Sequence, residues 1–227
     1  PLLPSKKTTL QNLNTAQQSF DISALPDDLV LNHDRTSFFR VIYDEHHLSK
    51  LTKSIRAGKL NELDRLGLLG DAFEAAKAGY GSTVDALNLL EAYSDEDSSV
   101  VWDIMTGGLG SIRVVMEDDE IRELLKPYVR KLTTKQLDRL GWDEKPTDSH
   151  FDKLLRPTVL GLSSYGEDSA VVKEARRQFE ELDPQEIHPD LRGVVYGTVA
   201  RTGTAKDFDR MLKLHDSSSQ NEERVTL

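Results

Sequence analysis

From Glu45 to the C-terminus, apolar residues return every three or four positions, the period of helices that each bury one face. In "DRLGLLGDAF", residues 64–73, Leu66, Leu69 and Phe73 fall at helical spacing, and Ala76 and Tyr80 continue the stripe. Asn61 is placed to cap this helix and Gly79 to stop it. Ser82 opens a second helix, "TVDALNLLEAY", so the two make a helical pair. Val101, Met105, Leu109, Ile112 and Met116 then line one face of "SSVVWDIMTGGLGSIRVVM". Gly107, Gly108 and Gly110 interrupt it; at about 1 kcal/mol each against Ala, they predict a bend or close packing. "DDEIRELLKPYVRKL" and "TTKQLDRLG" predict another pair, and "TDSHFDKLLRPTVLGLSSYG" a helix kinked at Pro157. "EDSAVVKEARRQFEEL" answers that helix, and "HPDLRGVVYGTVARTG" pairs with "TAKDFDRMLKLH".

The recurring unit is two helices and a turn, roughly 35–45 residues long, without a strict consensus. That spacing predicts a mainly α fold, a right-handed α-solenoid of armadillo or HEAT-like helix pairs. A compact bundle is the competing architecture. Residues 1–44 follow another pattern: short segments rich in Thr, Val and aromatics, separated by Asn, Pro and Asp. They predict a few antiparallel strands near 6–11, 17–22, 29–33 and 37–43. So few strands are marginal alone, and the expected division is 1–44 and 45–227. The chain opens at Pro1 rather than Met and closes in "NEERVTL", the opening turns of one more helix. A piece of a longer polypeptide is expected.

Charge narrows the partners. Lys and Arg number 29 against 39 Asp and Glu, a formal charge of −10 with no offsetting basic block, so nucleic acid is not an expected partner. The absence of cysteine excludes disulfides and thiolate metal sites. No apolar run approaches the roughly 20 residues that span a bilayer, and there is no signal-like start. No membrane partner is expected, and the expected compartment is the cytoplasm.

Candidate chemistry is sparse. The histidines stand at 33, 46, 47, 150, 188 and 215, densest in "YDEHHLSK". Consecutive helical residues diverge by about 100°, so His46 and His47 do not converge on one metal, and neither HExxH nor HxxEH occurs. "GGLG" lacks the spacing of a phosphate loop and sits in a helical stripe, where packing explains it; GxSxG is absent. Asp71 lies beside a buried stripe, a position suited to capping or pairing. Four arginines, Arg65, Arg156, Arg192 and Arg201, flank apolar faces or helix ends. On a concave solenoid face they would hold a carboxylate through bidentate bonds; elsewhere they make structural ion pairs.

"LNHDRTSFFRVIYD" resembles the strand that closes the β-sandwich of the gluzincin aminopeptidases, the puromycin-sensitive, alanyl and tricorn-interacting-factor enzymes, with Ser37 where the family usually has Gly. "DRLGLLGDAFEAAKAG", "SSVVWDIMTGGLG", "DSHFDKLLRPTVLGL" and "IHPDLRGVVYGTVAR" resemble successive landmarks of that family's C-terminal helical domain, in order, across residues 29–215. "TGGLG" is more glycine-rich than the family's helix. The resemblance implies that 1–44 ends a β-sandwich and that 45–227 is a bowl-shaped helical domain roofing the active site of a zinc aminopeptidase. The implied partners are the peptide substrate and the catalytic domain of the same polypeptide. The zinc ligands, the HExxH glutamate and the GxMEN motif belong to that catalytic domain, so no catalytic or metal residue is carried over, and zinc is a cofactor of the parent enzyme only. The alternative is a free-standing helical-repeat adaptor. Because its motifs are absent here, the purified chain is expected neither to bind stoichiometric zinc by calorimetry nor to release amino acids from aminoacyl anilides.

Overall fold

The computed structural model describes residues 15–19, 26–219 and 221–227. The strand expected at 6–11 and part of that at 17–22 lie outside them. Among the described residues the chain is mainly α, and it divides into two compact units, Pro1–Ala92 and Tyr93–Leu227.

The first unit holds a 3-10 turn at His33–Arg35 and helices α1 (Glu45–Arg56), α2 (Glu62–Lys77) and α3 (Thr83–Leu90). Each helix starts where a short polar side chain can take an orphan amide. Asp44 accepts from His47 N, Asn61 from Asp64 N, and Ser82 from Val84 N and Asp85 N. Gly79, at φ 76°, supplies the left-handed residue that ends α2. α2 packs on α3, with Leu68, Leu69 and Ala75 buried on one and Ala86, Leu89 and Leu90 on the other. The stripe is wider than its spacing implied. Leu66 and Phe73 are only half-buried and Tyr80 lies exposed beyond the helix, while Asp64, Gly67 and Asp71 are buried.

Those buried polar positions correct the expected strands. No strand forms at 29–33 or 37–43, because the backbone there is held by side chains instead of a ladder. Asp34 N donates to Asp64 Oδ1 and Val41 N to Asp71 Oδ2, both at 2.9 Å. Asn32 turns the chain at φ 57° and closes it on Ser37, accepting from Ser37 N and donating to Ser37 O and Phe39 O. Leu31 N donates to the Tyr43 hydroxyl, whose ring stacks on His47. Arg35 lies across α2 at Gly67, where a Cβ would stand 2.6 Å from its Nη1, and reaches Asp71 at 3.5 Å. Residues 29–43 are therefore a strap on α2. Ser37 has no positive φ, so the position where the family usually has Gly makes no special demand here.

The second unit comprises α4 (Ser99–Val115), α5 (Asp119–Leu140), α6 (His150–Tyr165), α7 (Ser169–Glu181), a 3-10 turn at Pro189–Leu191, α8 (Arg192–Thr202), α9 (Ala205–Ser217) and α10 (Asn221–Thr226). α5 is one helix where two were expected. No breaker separates its halves, and Thr133 and Thr134 bond back to carbonyls a turn earlier. α4 runs unbroken through its glycines; Gly108 is buried, whereas a Cβ on Gly107 or Gly110 would meet nothing within 4 Å. α6 packs beside α4 and α8, α5 packs on α6, and α7 packs on α8. Their apolar stripes meet in two clusters, one around Phe179, Ile187, Val195, Tyr196, Val199 and Met211, the other around Leu160, Val171 and Leu191. Trp102 is fully buried, its indole N–H donating to Glu96 O at 2.8 Å. Among the described residues no helix is long and apolar enough to cross a membrane.

Asp71→Ala leaves the Val41 amide and the Arg35 guanidinium without their Asp71 acceptor, so a loss of about 1–3 kcal/mol is expected. Urea melts of Asp71→Ala beside Asp71→Asn, which keeps an acceptor, check this. Amide exchange at Val41 should rise in the alanine variant alone.

Candidate functional site

α2 presents Asn61, Asp64, Gly67 and Asp71 at three- and four-residue intervals, one face of a helix. At its start His33 Nδ1 lies 2.8 Å from Asp64 Oδ2, His33 Nε2 3.5 Å from Asp34 Oδ2, and Asn61 Nδ2 donates to Asp34 Oδ1. His33, Asp34 and Asp64 offer ligand atoms within 4.8 Å of one another. In this structure the same atoms are engaged with one another and with the strap. Asp64 already accepts from Asp34 N and faces the imidazole, Asp34 accepts from Asn61, and each group helps dock the strap. Nearby, burial above all pushes the Tyr43 hydroxyl up to about 12, against the opposing hydrogen bond from Leu31 N.

The four candidate arginines divide between the units, Arg65 in the first and Arg156, Arg192 and Arg201 in the second. Arg65 is half-buried on α2 and donates to Leu60 O at 3.0 Å. Arg192, at the start of α8, donates through Nε to Ile187 O at 3.3 Å. Arg201 ends the same helix, nine residues and about 14 Å further along the axis, where it donates to the Ser164 hydroxyl. Arg156 is 2% exposed and ion-paired to Asp148. Arg156 thus stands in a buried ion pair in this structure.

Around Arg156 lies a charged corner of the second unit. Lys153 pairs with Glu144 at 2.6 Å, His188 stands 3.5 Å from the same carboxylate, and Arg139 pairs with Asp152. A small cavity lined by Trp142, Arg156, Pro157, His188 and Leu191 opens there, and Arg156 Nε is buried without a partner. The Asp148 carboxyl is held below its ordinary range by the Lys145 amide, with Arg156 adding to it against the effect of burial. Burial is the largest influence on Asp152 and pushes it up, but the Ser149 and Arg139 hydrogen bonds outweigh it and bring it to about 2.

With this arrangement described, comparison with known proteins decides the family. Residues 29–227 match the family model described as ERAP1-like C-terminal domain. The chain belongs to that family. The resemblance seen in the sequence is thus shown across both units and the strap. Aminopeptidase 2 of Candida albicans is 30% identical over 218 residues, covering 94% of this chain and 24% of that protein. Aminopeptidase M1-A of Oryza sativa subsp. japonica is 30% identical over 231 residues, covering 94% and 26%. The mitochondrial Aminopeptidase 2 of Saccharomyces cerevisiae is 27% identical over 205 residues, covering 88% and 21%. The chain spans about a quarter of the length of the curated relatives it matches.

Within this ERAP1-like domain, sequence inspection did not single out the basic residues that gather at the end of α6. Arg113, Lys126 and Arg130 come from α4 and α5 to the end of α6, where Arg113 lies over the Tyr165 ring and Arg130 donates to Gly166 O. One signal was present: Arg113 and Arg201 each stand in the last turn of their helix.

Asp152 provides a pH test of the charged corner. Its folded value, about 2, lies below the ordinary 3.8, so its contribution is complete above about pH 4 and is lost as pH falls toward 2. Asp152→Asn should cost about 1–2 kcal/mol at neutral pH. In urea melts the gap from the parent chain should close across that window.

Proposed function

We propose that this chain is the C-terminal helical domain of a zinc metallo-aminopeptidase that removes N-terminal residues from peptides. In this role it encloses the active site and contacts the peptide but supplies neither the zinc ligands nor the catalytic glutamate. The observation that carries the proposal is the family match over residues 29–227 in a chain about a quarter as long as aminopeptidases of that family and without HExxH. Its partners are then the peptide substrate and the catalytic domain of the same polypeptide, in the cytoplasm, with neither nucleic acid nor membrane involved. The net charge of −10 supports the exclusion of nucleic acid.

The domain division at Glu45 belongs to the same proposal. α1 begins there on its Asp44 cap, with 1–44 the end of a β-sandwich domain and 29–43 the strap that links it to the helices. The proposal also has the helix pairs continue as a right-handed α-solenoid, which the adjacency of α4, α6 and α8 with α5 and α7 packed on them supports. A concave helical wall would limit substrate length and exclude water when the domains close. Any contribution to catalysis comes through shape and charge.

A chimera tests this, with the chain replacing the matching quarter of the Candida albicans aminopeptidase. Compared with the same enzyme truncated to remove that quarter, the chimera is expected to retain turnover of aminoacyl anilides and to acquire a dependence of KM on peptide length. Identical peptide kinetics in the chimera and the truncated enzyme would overturn enclosure.

A further inference from the structure

A buried N–H that finds no acceptor is rare in a folded protein and asks for a reason. Arg156 has one. The residue is 2% exposed, and its terminal nitrogen Nη2 is committed to Asp148. Its Nε–H has no hydrogen-bond partner among the described residues. Arg122 Nε, Ser163 Oγ and Tyr196 Oη share that state, but of these four residues Arg156 alone lines the small cavity beside Trp142 and Pro157.

Glu144 lines the same cavity, and its carboxylate has capacity to spare. Oε2 accepts from Lys153 Nζ at 2.6 Å. Oε1 faces His188 Nε2 at 3.5 Å, too long for a firm hydrogen bond. The imidazole is held by its other nitrogen: His188 Nδ1 accepts from Asp190 N at 3.3 Å, so the neutral ring carries its proton on Nε2. An open donor and an open acceptor therefore belong to one cavity.

Size and charge select what joins them. The cavity measures about 10 Å³, close to the roughly 10–15 Å³ that a single water molecule needs. A halide is larger, and its charge is not called for: Glu144 and Asp190 balance Lys153 and Arg156 in the lining, and Asp148 adds a further negative charge against Arg156. A metal cation would meet the guanidinium. What fits is a neutral ligand of one heavy atom that both accepts and donates.

We propose that this cavity is a binding site for one water molecule, which accepts from Arg156 Nε–H and donates to Glu144 Oε1. Asp190, in the same lining, offers its second proton an acceptor. The water joins Arg156 on α6, Glu144 on the connection between α5 and α6, and the turn that leads into α8 in one hydrogen-bonded network. Arg156 then holds Asp148 directly and the Lys153–Glu144 pair through the solvent molecule. The bridge belongs to the second unit and is independent of the function proposed above.

Water-selective rotating-frame Overhauser spectroscopy of the whole chain tests the site at the Arg156 Nε–Hε resonance. A cross-peak to water of sign opposite to the diagonal, the mark of direct contact, is expected. In a crystal structure the same molecule should lie roughly 2.7–3.2 Å from both Arg156 Nε and a Glu144 oxygen. The Glu144 side chain is 34% exposed, which makes substitution there tolerable to the fold. Glu144→Ala removes the acceptor and should lose the cross-peak; Glu144→Gln, whose amide oxygen still accepts, should keep it. Lys153→Met takes away the ion partner of Glu144 but leaves the bridge, and should keep it too. A peak that survives Glu144→Ala, or that Lys153→Met abolishes, would overturn the bridge. A peak with the sign of the diagonal reports proton exchange with bulk solvent and would overturn the bound water, as would no peak while Hε still shows contacts within its own side chain. Bromide exchanged for acetate at constant ionic strength should leave the resonance unmoved, and a saturable shift would overturn water in favour of a halide.

Discussion

A buried carboxylate must find its hydrogen bonds before anything around it can settle, and two of them, Asp64 and Asp71, organise the first unit. Each is under 5% exposed and each accepts a backbone amide from the strap. The consequences run outward from α2. The helix has a polar buried face as well as an apolar one, the strap is turned by Asn32 rather than extended as a strand, and Gly67 leaves room for the Arg35 stem. α2 therefore sits between α3, which it meets through aliphatic side chains, and a loop it meets through charge.

The second unit resolves its charges differently. Its helices bury apolar stripes against one another, and polar groups collect at the helix ends. Arg156 and Arg201 show the two outcomes. Arg156 has its own carboxylate, Asp148, and helps to line a small cavity, its Nε buried without a partner. Arg201 is anchored on a neutral hydroxyl and keeps its full charge uncompensated by an ion pair. Both looked equivalent along the chain, since each is an arginine beside an apolar face.

That equivalence shows where sequence reasoning stops. Features decided within one turn were legible: the Asn61 and Ser82 caps, the Gly79 stop and the helical period from Glu45 onward all follow from local chemistry. The strap was not, because Thr, Val and aromatics favour strands only where a partner strand exists, and here Asp64 and Asp71, some thirty residues away, supply the hydrogen bonds. The single α5 was missed because a Thr-Thr step looks like a break, yet threonine hydroxyls can bond back to the helix that carries them. The carboxylate partners of Arg156 and the missing one of Arg201 depend on which helix ends meet. No spacing along the chain records that.

Both tryptophans, Trp102 and Trp142, lie in the second unit, the first sealed in its core and the second packed half-buried against two apolar clusters. Intrinsic indole emission therefore reports on α4 to α10 alone. A single sharp fluorescence transition would describe half of the molecule's cooperativity, while the strap and α1 to α3 would melt in spectroscopic silence. A tryptophan placed at the exposed Phe38 would give the first unit a voice of its own, and two-colour or two-probe unfolding would then show directly whether the units come apart together.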